Sequence, residues 1–221
     1  MEQKRVILFA GHYGSGKTNI AVNWALKLAS MGKRVQIADL DIVNPYFRTK
    51  DSEELLRQAG INLISSAYAN TNLDVPALPQ EMYAITCEHD CSFVVDVGGD
   101  DRGALALGRL APDLLQEGNF EMVFVANYYR PLIRDPKQAI EVMREIEFAG
   151  GMPFTAIANN SNLGDETQPE DVLASLPYIE ELAALSNLPV VMTTAEARVA
   201  QQLEGRVPDL FPLTLQEKYY R

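Results

Sequence analysis

Short runs of apolar, β-prone residues alternate along the chain with segments whose apolar residues recur every three to four positions. The runs lie at 5–10, 34–39, 62–66, 92–97, 122–127, 154–159 and 188–193. Several are apolar almost throughout, the pattern of strands covered on both faces rather than one. Between them, 18–31 carries Ala21, Trp24, Ala25 and Leu28 as a helical stripe, and Gly32 marks its stop. Segment 135–149 repeats the pattern with Ala139, Val142, Met143 and Ile146. Asp135 suits the N-cap of that helix, Pro136 its first turn, and Gly150 with Gly151 its end. Further helices are expected at 169–186, interrupted at Pro177, and at 195–203. Strand and helix alternating at this spacing predict an α/β fold with a doubly wound, mostly parallel sheet. No Pro/Gly/Ser linker and no repeat divides the chain, so a single domain is expected over its 221 residues.

Composition narrows the function. The balance of 30 acidic against 19 basic residues gives a net charge of −11, a surface that repels nucleic acid and anionic lipid. No run approaches the roughly 18 apolar residues of a spanning helix. The start, Met1 to Arg5 followed by a short apolar run, is too brief for a signal peptide and reads as a first strand. Two cysteines, Cys87 and Cys91, make no disulfide framework in a chain this long. A cytoplasmic protein with neither nucleic-acid nor membrane partner is the expectation.

The chemistry begins at "LFAGHYGSGKTNIAV", residues 8–22. Gly11, four residues, then Gly16, Lys17 and Thr18 fit the phosphate-binding loop pattern, with a strand before it and a helix after it. Gly11, Gly14 and Gly16 let the backbone curl so that several N–H groups point inward at a phosphate, and the helix adds its positive end. Lys17 reaches the β- and γ-phosphates in such a loop, and the Thr18 hydroxyl ligates Mg²⁺. Nucleotide contacts are accordingly expected from Gly11, His12, Tyr13, Gly14, Ser15, Gly16, Lys17, Thr18 and Asn19.

Two acidic strand ends accompany the loop. "VQIADLDIVNPYFRTKD" places Asp39 and Asp41 at the end of the second strand, where open α/β sheets gather ligands. "SFVVDVGGDDRGA" ends another apolar strand in Asp96, followed by Gly98 and Gly99, which leave room for a backbone N–H to bond a γ-phosphate. Asp100 and Asp101 read as solvated or salt-bridged rather than catalytic.

With these motifs together, the sequence resembles the MinD/ParA family of ATPases with a deviant phosphate loop. That family includes the nitrogenase iron protein and the nucleotide domains of cobyrinic acid synthase and dethiobiotin synthetase. The resemblance rests on "GHYGSGKT", "ADLDIVNP", "FVVDVGGD" and "AIANNSN". It implies an Mg²⁺-dependent ATPase with Lys17 and Thr18 on the phosphates and metal. It further implies that Asp41 orients the attacking water, that Asp39 and Asp96 hold Mg²⁺ through waters, and that Asn160 hydrogen-bonds the adenine. The "NNSN" run also suits a plain turn. The loop beginning at Thr194 and Ala195 is expected to close over the base through its backbone. Family members carry a second lysine after the first glycine of the loop, reaching across a dimer to the partner's nucleotide. Here that place is His12, a weaker substitute at neutral pH or an ordinary loop residue. Arg130 and Arg134 follow the fifth strand and could neutralise phosphate charge or form an interface salt bridge.

The "CEHDC" stretch lacks the spacing of a zinc site and reads as ordinary packing. A nucleotide-driven switch or partner-loading factor with a protein partner, possible as a homodimer, is the first functional expectation. A small-molecule kinase or ATP-dependent ligase with its substrate near "NPYFRTKD" is the second, and a nucleotide sensor without turnover the third.

Overall fold

In the computed structural model, residues 4–40, 49–65, 78–99 and 101–215 are described. The strands are β1 (Val6–Ala10), β2 (Val35–Asp39), β3 (Asn62–Ser65), β4 (Ser92–Asp96), β5 (Phe120–Ala126), β6 (Ala156–Asn159), β7 (Val190–Glu196) and β8 (Leu210–Leu213). The helices are α1 (Lys17–Ser30), α2 (Glu53–Gln58), α3 (Ala84–Cys87), α4 (Asp101–Leu107), α5 (Ala111–Glu117), α6 (Pro136–Gly150), α7 (Pro169–Ala174), α8 (Leu176–Ser186) and α9 (Ala197–Leu203). All eight strands join one sheet in the order β3-β2-β4-β1-β5-β6-β7-β8, and every described pairing is parallel.

Alternation along β1 explains why helices cover both faces. Val6, Leu8 and Ala10 point into one core with Phe93, Val95, Phe124, Leu107 and Leu114. Ile7 and Phe9 point into the other, with Ile20, Trp24, Leu28 and Ile37. The chain thus leaves β1 for α1 on one face, and the neighbouring β4 for α4 and α5 on the other. A crevice opens where the crossovers part, at the carboxyl ends of β1 and β4, which is where such sheets bind ligands.

The expected boundaries of α1 and α6 hold to within a residue or so. Asp135 caps α6 by accepting from the N–H groups of Lys137 and Gln138, and Gly151 ends it at φ 64°. Segment 169–186 breaks at Ser175 instead of Pro177, because proline is welcome in a first helical turn and Pro177 sits in that of α8. β7 runs on to Glu196, so Thr194 and Ala195 are buried strand residues rather than a loop, a correction to the expected base-closing segment. β8 is not expected from the sequence: its Pro212 argues against a strand, yet an edge strand tolerates the missing N–H.

At the end of the sheet away from the crevice, Arg5 ties three elements together. Its guanidinium donates to the carbonyls of Ile85 and Glu88, each at 2.9 Å, and pairs with the Glu117 carboxylate at the end of α5. The hydrogen bonds from Arg5 hold Glu117 below its ordinary value of 4.5. A carboxylate depressed in the folded state contributes stability above its unfolded pKa, and that contribution disappears as pH falls through the folded one. Chemical denaturation from neutral into acidic solution is therefore expected to show a shallower loss of stability for Glu117→Gln than for wild type. Parallel curves would contradict it.

Candidate functional site: a phosphate-type loop beside two acidic strand ends

The loop between β1 and α1 turns on glycines. Gly16 lies at φ 90° as the residue before α1, and a methyl carbon there would come within 2.1 Å of Asn160 Nδ2. Only glycine fits both the left-handed backbone and the close approach. The Ser15 N–H donates to the His12 carbonyl at 3.1 Å, closing the turn. The Lys17 ammonium, 5% exposed, donates back to the same carbonyl at 3.3 Å. The Ser15 hydroxyl is buried with no hydrogen-bond partner among the described residues, which fits a loop whose missing partner is an anion. His12 turns back on the loop: its Nδ1 lies 2.9 Å from the Tyr13 carbonyl, which can only accept, so Nδ1 carries the proton. Tyr13 projects outward, 56% exposed.

Asp39 and Asp96 face each other in the β2–β4 register at the carboxyl ends of their strands, both buried. The Thr18 hydroxyl donates to Asp96 Oδ2 at 2.6 Å, and the Thr49 hydroxyl donates to the same oxygen at 3.0 Å. The segment after β4 lies against the loop: a substituent on Gly99 would sit 2.8 Å from the Tyr13 nitrogen and 2.9 Å from Lys17 Nζ. Lys17, Thr18, Asp39, Asp96 and Gly99 therefore share one crevice. Asp41 lies outside the described residues, as does most of "NPYFRTKD". Among the described residues no group of three His, Cys, Asp or Glu side chains is placed to hold a metal. Two carboxylates and a hydroxyl nonetheless fit Mg²⁺, which takes oxygen ligands, keeps several waters and uses phosphate oxygens as the remainder.

On the other side of the loop, Asn160 follows β6 and is buried. Its amide donates to the Ser15 carbonyl at 2.6 Å, and its oxygen accepts from the Thr194 hydroxyl. Asn160 thus fastens the loop to β7, a structural task that its choice as a base contact did not include. Asn159 bonds Ser161 and Ser175, and Asn162 donates to the Asn160 carbonyl at 2.7 Å. An open pocket of about 500 Å³ lies at the ends of β7 and β8, lined by Asp165, Glu196, Ala197, Arg198, Leu213, Thr214 and Leu215. Thr214 exchanges hydrogen bonds with Asn23 at 2.8 and 2.9 Å, and Asn23 donates to the Asn19 carbonyl, so the cavity borders the start of α1.

Sequence reasoning missed Thr49, whose partner is distant in the chain, and the cavity, whose β8 wall no local pattern marks. Cys87 is exposed and Cys91 buried, with burial pushing the Cys91 thiol up, at the end of β4 away from the crevice. No described helix is long and apolar enough to cross a membrane.

A glycine-rich loop leading from the first strand of a parallel sheet into a helix suits a phosphate-bearing ligand. No family model matches the chain, and no curated protein matches it. Solved structures do. Cell division protein FtsY from Thermotoga maritima aligns with a TM-score of 0.60 at 16% identity, over 88% of this chain and 62% of that one. The signal recognition particle receptor FtsY from Elizabethkingia anophelis gives 0.55 at 15%, over 87% and 59%. FtsY from Mycoplasma mycoides gives 0.53 at 17%, over 87% and 61%. The similarity establishes the α/β fold, and this chain spans about three-fifths of the length of those proteins.

Proposed function

We propose that the chain is an Mg²⁺-dependent nucleoside triphosphate hydrolase that acts as a nucleotide-driven switch, with ATP as its nucleotide. The observation that carries this reading is the bond from Thr18 to Asp96 beside a buried Lys17, on a loop seated at the crevice of a parallel sheet. Lys17 and the loop N–H groups neutralise charge on the β- and γ-phosphates. Thr18 would hold Mg²⁺ directly and Asp39 and Asp96 through water, and the ion would supply charge neutralisation on the phosphates. Asp41 is assigned to orient the attacking water on the strength of the MinD/ParA resemblance. Gly99 lies close enough to Lys17 for its segment to respond to the γ-phosphate, as switch loops do. A protein partner would read that response.

The base is assigned to the pocket at the ends of β7 and β8. Asn160 is carried over as the adenine contact from the MinD/ParA resemblance: adenine offers a donor beside an acceptor, which the N–H and lone pair left over by its bonds to Ser15 and Thr194 would meet. A second reading, GTP, draws on Asp165 and Glu196 in the cavity wall, since a carboxylate accepts the two donors on the guanine edge. One of the similar FtsY structures is itself a complex with GDP. Titration calorimetry with each nucleotide and Mg²⁺ decides between them. ATP is expected to bind about tenfold tighter or better; the reverse preference would transfer the assignment to GTP, and no binding of either would overturn both.

A further inference from the structure

Arg130 stands in the segment between β5 and α6, far from the phosphate-type loop in sequence, yet its guanidinium rests on that loop. A methyl carbon on Gly14 would lie 3.1 Å from Arg130 Cζ and 3.4 Å from both Nε and Nη1. The guanidinium therefore fills the space that a side chain on Gly14 would take, on a loop whose N–H groups are expected to face a phosphate.

This position is built rather than incidental. The Arg130 N–H donates to the Asn127 carbonyl at 3.0 Å, and Asn127 Oδ1 accepts from Tyr129 N–H at 3.0 Å. Tyr128 N–H donates to the Ser161 hydroxyl and Tyr129 OH to the Asp171 carbonyl, fastening the turn to the segment after β6 and to α7. On the far side, Ile133 is fully buried and its N–H donates to the Arg130 carbonyl at 3.1 Å. Pro131 fixes the extended backbone of Arg130, φ −90° and ψ 124°. An anchored backbone thus presents an exposed arginine. No carboxylate among the described residues pairs with it, as none does with Arg109, Arg134, Arg144 or Arg206, whereas Arg5, Arg34, Arg57 and Arg198 each have at least one.

We propose that Arg130 is a second cation of this site, supplied in cis, which contacts the triphosphate and stabilises charge as it is hydrolysed. This rests on the hydrolase reading above. In that reaction a water oxygen bonds to the γ-phosphorus while the bond to the β–γ bridging oxygen breaks. The electron pair of the broken bond passes to the nucleoside diphosphate, and the proton lost by the water leaves to solvent. Negative charge therefore grows on the bridging and β-phosphate oxygens, beside Gly14. A planar fork already lying on Gly14 meets that charge with two donors and little loss of side-chain freedom. His12 stands where the family resemblance expects a lysine reaching across a dimer, and its ring is occupied with the Tyr13 carbonyl. Arg130 makes such a trans contribution unnecessary.

The test is single-turnover hydrolysis by the full chain, with the nucleoside diphosphate–Mg²⁺ complex titrated in parallel. Arg130→Ala is expected to lower the rate roughly 100-fold or more while changing diphosphate affinity by less than about threefold. Arg130→Lys, which keeps the charge and loses the fork, should recover only part of the rate. Because the side chain is exposed, both variants should melt with wild type. A rate within about tenfold of wild type in Arg130→Ala, with Lys17→Ala inactive, would overturn this proposal and leave the hydrolase reading standing. A change in oligomeric state alone, the mark of an interface arginine, would overturn it equally. A wild-type protein that binds no nucleotide would overturn the underlying reading and this proposal together.

Discussion

Lys17→Ala is expected to abolish nucleotide turnover, lowering kcat/KM by about 100- to 1000-fold. The ammonium is buried at the first residue of α1 and bonded to the His12 carbonyl, so it is held inside the curl of the loop rather than waving above it. Such a placement puts a full charge where a triphosphate would be most shielded from water, and there each electrostatic contact is worth more than at the surface. Steady-state hydrolysis with a melting curve on the same sample checks this. The variant should unfold within a few degrees of wild type, since alanine suits a helix start. Retention of wild-type turnover would remove Lys17 from the chemistry.

The second large effect is expected at Gly16. Alanine there meets two obstacles at once: a φ of 90° that side-chain-bearing residues avoid, and Asn160 Nδ2 only 2.1 Å from the new carbon. Asn160 cannot simply retreat, because its own oxygen is bonded to Thr194 and its amide to the Ser15 carbonyl. The loop must therefore shift, and with it the N–H groups on either side. Gly16→Ala should cost at least about 2 kcal/mol of stability and remove measurable nucleotide affinity. Denaturant titration and calorimetry on one preparation test both halves. Wild-type affinity would show that the loop conformation described here is not the binding one.

Local patterns were legible in the sequence, and long-range uses of side chains were not. β1 could be read because it is an unbroken apolar run, β4 because Phe93, Val94 and Val95 stand together, and α1 and α6 because their stripes end in glycines. The loop was legible because its chemistry needs Gly, Lys and Thr at fixed spacing, and Asp39 and Asp96 because each closes a buried strand. β8 stayed hidden behind Pro212, whose presence is harmless only at an edge that the sequence does not mark. α4 stayed hidden because it follows a glycine pair and contains Gly103 itself, although a substituent there would strike Gly98 at 2.5 Å, so the glycine serves the tight turn into that helix. Asn160 illustrates the other limit. Its type suggested base recognition, and only its surroundings in space reveal that it also braces the loop. Thr49 and Arg130 lie 47 and 116 residues from the groups they approach, separations over which no spacing rule operates, so Arg130 could be named as a candidate for phosphate charge but its seat on Gly14 could not.

The central claim is that the backbone from Gly11 to Thr18 encloses a triphosphate. Hydrogen exchange of the peptide covering residues 8–22, with and without a non-hydrolysable triphosphate and Mg²⁺, measures it directly. The amides of Gly14 through Thr18 should become strongly protected in wild type and stay unchanged in Lys17→Ala. Unaltered exchange in that peptide, at triphosphate concentrations that protect some other part of the chain, would contradict the account.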